Sequence, residues 1–412
     1  MVNKSSKVDF KNVSVPINWS VKDFGEICSI RNKKFNPINS ADQKYIALEH
    51  LEQGTGRILG SGQSSETTSI KSEFKKDDIL FGKLRPYLKK YWLATFDGVC
   101  STEILSIVPN DDIDNRFCFY LVQQEGFIEH SIRHSFGTKM PRTSWKEISD
   151  FQCFLPPLEE QRKIGAILTS IDDAIEKTEE IIKQTEVVKQ GLMQRLLTKG
   201  IGHTKYKQTD IGEIPIEWEL SSLGDISEII MGQSPKGDTY NDEAVGSPLL
   251  NGPTEFGEVH PTPIQWTTRP TKFCEKNDIL VCVRGSSTGR MNISDRSYCI
   301  GRGLAAIRAK NNVSVQEFLG IHVERLSSEI LAQATGSTFP NIDKSRLSNL
   351  AIPLPPLVEQ KKISNIIGSV TSKVQSESRK VDSLRQLKSS LMQVLLTGRV
   401  RVNVDEPSEV SV

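Results

Sequence analysis

Basic residues with an aromatic among them form the densest group of side chains in the first half of the chain that could contact nucleic acid. The run DILFGKLRPYLKK supplies Lys83, Arg85, Tyr87, Lys89 and Lys90. Lysine and arginine neutralise phosphates, and either can also bind guanine in the major groove. The pattern therefore favours DNA contact, although a strand edge with solvated lysines would carry the same residues.

Arginines recur every six residues in the second half of the chain, at Arg284, Arg290, Arg296, Arg302 and Arg308. An unbroken strand would place them on one face, but intervening glycines interrupt it. The first two flank the run RGSSTGR, whose small hydroxyls and free backbone amides suit close approach to a phosphate. The candidates from this run are Arg284, Ser286, Ser287, Thr288 and Arg290. A polar loop adds Gln233, Ser234 and Lys236 as weaker candidates.

Motifs that would make the chain an enzyme are missing. The sequence contains no N-P-P-[YF] or D-P-P-[YF], no G-x-G-x-x-G opening a helix and no G-x-x-x-x-G-K-[ST] loop. His130 and His134 are four residues apart on a predicted helix, but no third ligand is apparent. We therefore expect neither catalysis nor a bound metal.

The bulk composition is that of an ordinary folded protein. Of the 412 residues, 37% are hydrophobic and 25% are charged, and no apolar run is long enough to span a membrane. The first residues lack an apolar signal segment, and seven scattered cysteines without C-x-x-C fit a reducing compartment. We expect a cytoplasmic protein. The net charge of +1 gives no general support to nucleic-acid binding, so any positive surface must be local.

The sequence repeats itself at an offset of 199 residues. Ile17-Asn18-Trp19 aligns with Ile216-Glu217-Trp218, and GTKMP at 137–141 aligns with GSTFP at 336–340. The block 155–200 aligns with 354–399 and is identical at 17 of 46 positions. One offset preserved at separated places indicates a tandem duplication.

Each half begins with a mixed, strand-like pattern and ends with a long helical one. Apolar residues in the helical parts are spaced by four and three, which is typical of a coiled-coil seam. The seam residues of the first helix are Ile164, Leu168, Ile171, Ile175, Ile182, Leu192 and Leu196. Those of the second are Ile363, Ile367, Val370, Val374, Val381, Leu384, Leu391 and Leu395. Alternatively, each helix covers its own domain.

The expected fold is α+β, with two globular domains separated by two long antiparallel helices related by a pseudo-twofold internal repeat. The first helix must carry the chain from one domain to the other, and the second must return along it. The expected boundaries are 1–155 for the first domain, 156–200 for the first helix, 201–354 for the second domain, 355–400 for the second helix and 401–412 for a C-terminal tail.

These motifs together resemble the specificity (S) subunit of Type I restriction-modification enzymes over essentially the full length of the chain. The matching marks occur once in each half. They are LPPLEEQ at 155–161 and LPPLVEQ at 354–360, the pentapeptides at 137–141 and 336–340, Leu-Met-Gln at 192–194 and 391–393, and the strand-and-loop runs from Asp78 and Asp278.

The resemblance implies a non-catalytic scaffold with two target-recognition domains that read an asymmetric, bipartite site in double-stranded DNA. It implies docking of two adenine methyltransferase (modification) subunits and, through them, motor-nuclease (restriction) subunits. S-adenosylmethionine and ATP are expected on those partners only. It also implies that the loops before the helices lie near DNA, which adds Thr138, Lys139, Arg142, Thr338 and Asn341.

Other functions remain open on the sequence alone. One is a coiled-coil scaffold or adaptor that binds proteins without reading DNA, and another is the specificity subunit of a related system that cuts on both sides of its site. Ile181, Val187 and Leu387 lie beside the seam and are apolar where a lone pair of helices should be polar. We expect them to meet the modification subunits or the chain's own recognition domains.

Overall fold

The computed structural model describes residues 15–38, 40–335 and 340–403. The chain divides into two compact units. Unit 1 contains the chain up to Glu179 together with the part from Arg379 onward, and unit 2 is Glu180–Ser378. Each unit therefore combines one of the two predicted globular domains, here called recognition domains (1–155 and 201–354), with parts of both long helices.

Unit 1 contains eleven short strands among its described residues. They are β1 (Ser20–Asp23), β2 (Cys28–Ile30), β3 (Lys34–Phe35), β4 (Lys44–Ile46), β5 (Gly62–Gln63), β6 (Lys71–Phe74), β7 (Ile79–Gly82), β8 (Tyr91–Leu93), β9 (Gly98–Cys100), β10 (Ile104–Pro109) and β11 (Gln152–Leu155). Its helices are α1 (Phe24–Ile27), α2 (Asn115–Gln123), α3 (Glu125–Arg133), α4 (Trp145–Ile148) and the start of α5 (Leu158–Leu196).

Unit 2 contains thirteen strands in the part of the chain that is described. They are β12 (Tyr206–Thr209), β13 (Gly212–Pro215), β14 (Glu219–Ser222), β15 (Ser227–Met231), β16 (Tyr240–Asn241), β17 (Ser247–Leu250), β18 (Gln265–Thr267), β19 (Phe273–Cys274), β20 (Ile279–Cys282), β21 (Met291–Ile293), β22 (Tyr298–Ile300), β23 (Leu304–Ala309) and β24 (Ala351–Leu354). Its helices are α6 (Leu223–Ile226), α7 (Gln316–Arg325), α8 (Ser327–Gln333), α9 (Lys344–Ser348) and the start of α10 (Leu357–Leu395).

The two recognition domains share most of their sheet topology. Unit 1 has a two-stranded sheet β1-β11, a four-stranded sheet β2-β10-β7-β8 and a five-stranded sheet β3-β6-β9-β4-β5. Unit 2 has the sheets β14-β24, β15-β23-β20-β21 and β16-β18-β17-β22-β19, together with a hairpin β12-β13 that unit 1 lacks among its described residues. The five-stranded sheets differ at their edges, since β3 pairs with β6 whereas β16 pairs with β18. Each five-stranded sheet contains one parallel pair, β4 with β9 and β17 with β22. The internal repeat and the α+β class predicted from the sequence are confirmed.

The long helices pack antiparallel within each unit. In unit 1, Ile164 and Leu168 near the start of α5 share a core with Leu395 and Leu396 at the end of α10. In unit 2, Met193 and Leu196 near the end of α5 share a core with Ile363 and Ile367 near the start of α10. Such pairs of opposite helix ends require antiparallel axes, as the predicted topology does.

The predicted seam positions are all buried or half-buried. Those of α5 in unit 1 are at most 8% exposed, whereas Ile182 and Leu192 in unit 2 are half-buried. Along α10, Ile363, Ile367, Val381 and Leu395 are buried and the other four positions are half-buried. The apolar stripe thus faces protein along both helices, which agrees with a 3.5-residue repeat.

Candidate nucleic-acid interface

The motif at the start of each long helix, LPPLEEQ or LPPLVEQ, attaches the recognition domain to that helix. The side chain of Gln161 accepts a hydrogen bond from the backbone N–H of Asp114 at 2.9 Å and donates to the carbonyl of Pro156. Gln360 does the same in unit 2, accepting from Val315 N–H at 2.8 Å. A buried amide that is satisfied on both sides holds α2 or α7 at a defined place on the helix.

Polar positions in the predicted seam form a second attachment. Lys388 on α10 contacts Asp172 Oδ1 at 2.7 Å and donates to Gln123 Oε1 at 3.0 Å, so it joins both helices to α2 in unit 1. Lys189, the equivalent residue on α5, donates to Glu324 on α7 at 2.9 Å in unit 2. These lysines occupy positions of the apolar seam, and their contacts hold each recognition domain against the helices.

The first aspartate of each Asp-Ile-Leu run is buried and bound by an arginine. Asp78 accepts two hydrogen bonds from Arg31, at 2.7 and 2.8 Å, and Asp278 accepts two from Arg308, both at 2.8 Å. The hydrogen bonds that the arginines donate to these carboxylates raise the pKa of Arg31 and of Arg308. Arg31 follows β2, whereas Arg308 lies on β23. The equivalent buried carboxylates are therefore neutralised by arginines from different positions in the two units. Each ion pair stabilises the strand, β7 or β20, that leads to a candidate loop.

Two candidate loops that are distant in sequence meet in each unit. In unit 1 the backbone N–H of Arg85 donates to the carbonyl of Pro141 at 2.7 Å, and in unit 2 that of Gly285 donates to Pro340 at 2.8 Å. Isolated bridges pair Leu84 with Arg142 and Arg284 with Asn341. The loop after β7 or β20 thus lies beside the loop that precedes the last strand of its domain.

Part of the basic cluster in unit 1 is already engaged with protein. Lys89 forms an ion pair with Glu125 at 2.6 Å, and the ammonium of Lys90 donates to the carbonyl of Leu48. Lys83 is half-buried and Tyr87 is 46% exposed. Arg85 has a left-handed backbone with φ of 53°, and its buried Nε has no hydrogen-bond partner.

The loop before the last strand contributes exposed residues in unit 1. Thr138 and Lys139 are exposed, and Arg142 is exposed but contacts Glu103 at 2.9 Å. In unit 2 the matching Asn341 is half-buried, while the predicted Thr338 lies outside the described residues. Lys83, Arg85, Tyr87 and Lys139 are the candidates of unit 1 whose charge or ring is left for a ligand.

The run RGSSTGR of unit 2 forms a tight loop rather than a strand. Thr288 is 4% exposed and its hydroxyl donates to the carbonyl of Gly285 at 2.7 Å, so it stabilises the loop from inside. Arg290 is exposed and its guanidinium lies over the ring of Phe256, 5.9 Å from the ring centre. Ser286 is exposed and Ser287 is half-buried. Arg284 is exposed at the start of the loop.

A cleft of about 880 Å³ in unit 2 brings three of the predicted residues together, namely Ser234, Arg284 and Asn341. Its lining also contains Tyr240, Asn251 and Arg302, which were not predicted. Gln233 and Lys236 are exposed beside it but are not part of the lining. Arg302 belongs to the series of regularly spaced arginines in the sequence. The pairing of the strands decides which of these arginines lie on one surface, and the spacing does not show it.

The predicted helix with two histidines offers no metal geometry. His130 Nε2 lies 2.8 Å from the carbonyl of Glu147, and His134 Nδ1 lies 2.9 Å from the carbonyl of His130. Among the described residues there is no group of three or more side chains that could hold a metal ion. Within the same residues, no helix is both long and apolar enough to cross a membrane.

Two copies of one α+β module, each joined to a long helix and each presenting different polar loops, are the organisation of a DNA-specificity subunit. The chain belongs to the Type I restriction modification DNA specificity domain family, whose model matches residues 16–186 and again 215–386. Its role is target recognition and not catalysis.

Individual relatives agree with this assignment. The putative type I restriction enzyme MjaX specificity subunit of Methanocaldococcus jannaschii is 29% identical over 94% of this chain and 95% of its own length. A solved chain from work on complex assembly and conformational transition of the type I R-M system is 26% identical, covers 94% of this chain and 100% of its own, and has a TM-score of 0.62. The S subunit of a type I system from M. genitalium is 16% identical over 93% of this chain and 97% of its own, with a TM-score of 0.61, and supports the fold alone.

Proposed function

We propose that the chain reads an asymmetric, bipartite site in double-stranded DNA, one half-site with each recognition domain. The observation that carries the proposal is that equivalent loops of the two domains have different side chains on the same backbone frame. The bridges Leu84 with Arg142 and Arg284 with Asn341 occupy matching positions. A preserved frame with exchanged loop chemistry is what two readers of different sequences need.

We propose Lys83, Arg85, Tyr87 and Lys139 as the contacts of the first domain. Lys139 is exposed on a loop, as suits a phosphate contact. In the second domain we propose Arg284, Ser286 and Arg290 from the loop after β20, together with Asn341. Lys89 and Arg142 can contribute only if their ion pairs with Glu125 and Glu103 exchange for a phosphate.

We propose that two adenine methyltransferase subunits dock on the long helices and that motor-nuclease subunits join through them. Val188 on α5 is 54% exposed and Leu387 on α10 is 47% exposed. They are 199 residues apart, so they occupy equivalent positions of the repeat. Two equivalent exposed apolar positions support two copies of one partner. Ile181 and Val187 extend the apolar surface on α5.

The chemistry would then belong to the partners. S-adenosylmethionine would bind the methyltransferase subunits and ATP the motor-nuclease subunits. Because its substrate would be chromosomal DNA, the complex would act in the cytoplasm. The chain would contribute the choice of site.

Adenine methylation in a host strain tests this function. The chain is expressed with the methyltransferase subunit of its type I system, and methylated adenines are mapped across the genome with and without the chain. The proposal predicts a bipartite motif that carries one methylated adenine in each half, on opposite strands, and that disappears with the chain. Co-purification of the methyltransferase without any methylation motif would instead support a protein-binding scaffold.

A further inference from the structure

Over the residues that the structure describes, the fold separates the five regularly spaced arginines of unit 2 into those that contact a carboxylate or an aromatic ring and those that do not. Arg308 is bound by Asp278 and Glu275, Arg296 lies over the ring of Tyr298 at 5.3 Å, and Arg290 lies over Phe256. In the part of the chain that the structure describes, no carboxylate pairs with Arg284 or Arg302. Both are exposed, and both line the same cleft.

The loop that carries Arg302 is held rigidly. The backbone N–H of Arg302 donates to Ser234 Oγ at 3.2 Å, and that of Gly301 donates to the carbonyl of Leu250 at 2.8 Å. A Cβ at position 303 would overlap the carbonyl oxygen of Asn251, so only glycine lets the loop pack this closely. The side chain of Arg302 is therefore presented from an ordered backbone, which reduces the entropy lost on binding.

The lining of the cleft has the chemistry of base readout. Its charged residues are the two arginines, and among the described lining residues there is neither a carboxylate nor a lysine. Asn251 and Asn341 add neutral amides. Arginine donates two parallel hydrogen bonds to O6 and N7 of guanine, and asparagine matches adenine in the same way.

The first domain lacks these side chains at the equivalent places. The strand registers Leu80 with Ser106 and Leu280 with Ala306 set an offset of 200, so Leu84 replaces Arg284 and Thr102 replaces Arg302. The parallel pairs Ile46 with Cys100 and Leu250 with Ile300 place Ala47 where Asn251 lies.

We propose that Arg284 and Arg302 are specificity-determining residues that read guanine in the half-site of the second domain, a contact for which the first domain has no counterpart at the equivalent positions. The inference rests on the proposed function and adds the base class and the residues. Tyr240 and Asn251 line the same cleft and would complete the surface that the base pair meets.

The test compares methylation motifs of the full chain co-expressed with its methyltransferase, using the genomic DNA of the host as the probe. Arg302→Ala and Arg284→Ala are compared with wild type and with Arg269→Ala, which removes the same charge from an exposed residue of unit 2 outside the cleft. Each cleft variant is expected to relax the motif at a G·C pair of one half-site only. On synthetic duplexes, the preference for that G·C pair should fall about 5- to 150-fold.

The Arg302→Lys variant distinguishes a contact of Arg302 with a base from a contact with a phosphate. Lysine keeps the charge but loses the planar pair of parallel donors, so the preference for the G·C pair should be restored at most in part. If Arg302→Ala instead weakens binding at every sequence, lessens its dependence on salt, and is rescued by Arg302→Lys, the contact is to phosphate and the inference is wrong. It is also wrong if neither alanine variant changes the motif, or if the half-site of the second domain contains no G·C pair. A wild-type complex that yields no motif contradicts the proposed function itself.

Discussion

The indole Nε1 of Trp19 donates a hydrogen bond to Oε2 of Glu160 at 2.9 Å, and both residues recur 199 positions later. Trp218 donates to Glu359 at 3.0 Å in unit 2. In each unit a glutamate near the start of a long helix, buried at position 160 and half-buried at position 359, thus accepts a hydrogen bond from the tryptophan directly before β1 or β14. The relationship ties the domain to its helix.

The glutamates differ in their second partner. Arg401 binds Glu160 through two nitrogens at 2.7 and 2.8 Å, so the segment after α10 closes unit 1. In unit 2 the segment after α5 takes that place, and His203 Nε2 contacts Glu359 at 2.9 Å. One unit is therefore closed by a permanent cation and the other by a titratable one.

Glu160→Ala should destabilise unit 1 by about 2 kcal/mol, because it leaves Arg401 and the indole of Trp19 without their acceptor. The loss stays moderate because Arg401 is 41% exposed, so water can partly replace the carboxylate. Urea unfolding measures the change. Glu159→Ala is the matched control, since that side chain is 65% exposed and should cost less than about 0.5 kcal/mol. Equal losses for the two variants would show that Glu160 has no structural role.

Unit 2 should lose stability as pH rises above neutrality. Burial lowers the pKa of His203, but hydrogen bonds and charge from Glu359 and Glu217 raise it more, so it lies above its ordinary 6.5. A raised pKa means that the protonated form stabilises the fold below the unfolded pKa, and this contribution is lost as pH rises through the folded pKa. The urea midpoint should fall more between pH 6 and pH 8 in wild type than in His203→Asn. Parallel pH profiles would exclude this role.

Lys388→Met should lower the stability of unit 1 by about 1–2 kcal/mol, because Asp172 loses its cation and Gln123 its donor. The ammonium belongs to a side chain that is only 12% exposed, so water replaces it poorly. Lys177→Met, on an exposed position of α5, provides the control. If both variants unfold at the same urea concentration, Lys388 does not hold the recognition domain.

Arg85→Ala should weaken binding of the complex to its DNA site by about 1–3 kcal/mol if the guanidinium reads a base. Alanine keeps a Cβ at the left-handed φ of 53°, so the backbone strain of the loop is unchanged. If Arg85 contacts phosphate, the loss should be similar on all sequences and the slope of log affinity against log salt should become shallower by about one. Affinity and slope both equal to wild type would remove Arg85 from the interface.

Much of this organisation was predictable because it depends on local patterns. The 199-residue offset gave the repeat, and the 3.5-residue spacing from Ile164 to Leu196 gave the helix and its buried face. Lys189 and Lys388 fall on the same spacing, but the spacing does not predict their contacts with Glu324 and Asp172. Those partners lie on the other elements, and one sequence carries no signal for such pairing.

The candidate site was only partly predictable for the same reason. The run RGSSTGR indicated Arg284 as a candidate. Only the fold distinguishes Arg302 from Arg290 and Arg308, because it places Arg302 in the lining of the cleft. Spacing in sequence does not tell which arginines find a carboxylate or an aromatic ring. Arg308 is bound by Asp278, which lies 30 positions earlier and comes close because β20, directly after Asp278, pairs with β23, which carries Arg308.

The central claim is that two recognition domains read two different half-sites, both of which are needed. Once the motif is mapped, methylation by the complex is measured on three synthetic duplexes: the intact site, one with the first half scrambled and one with the second half scrambled. We expect methylation of the intact duplex and a loss of at least about tenfold on each of the others, since the mismatched base pairs of a scrambled half each cost binding energy. Full methylation of either scrambled duplex would contradict the account.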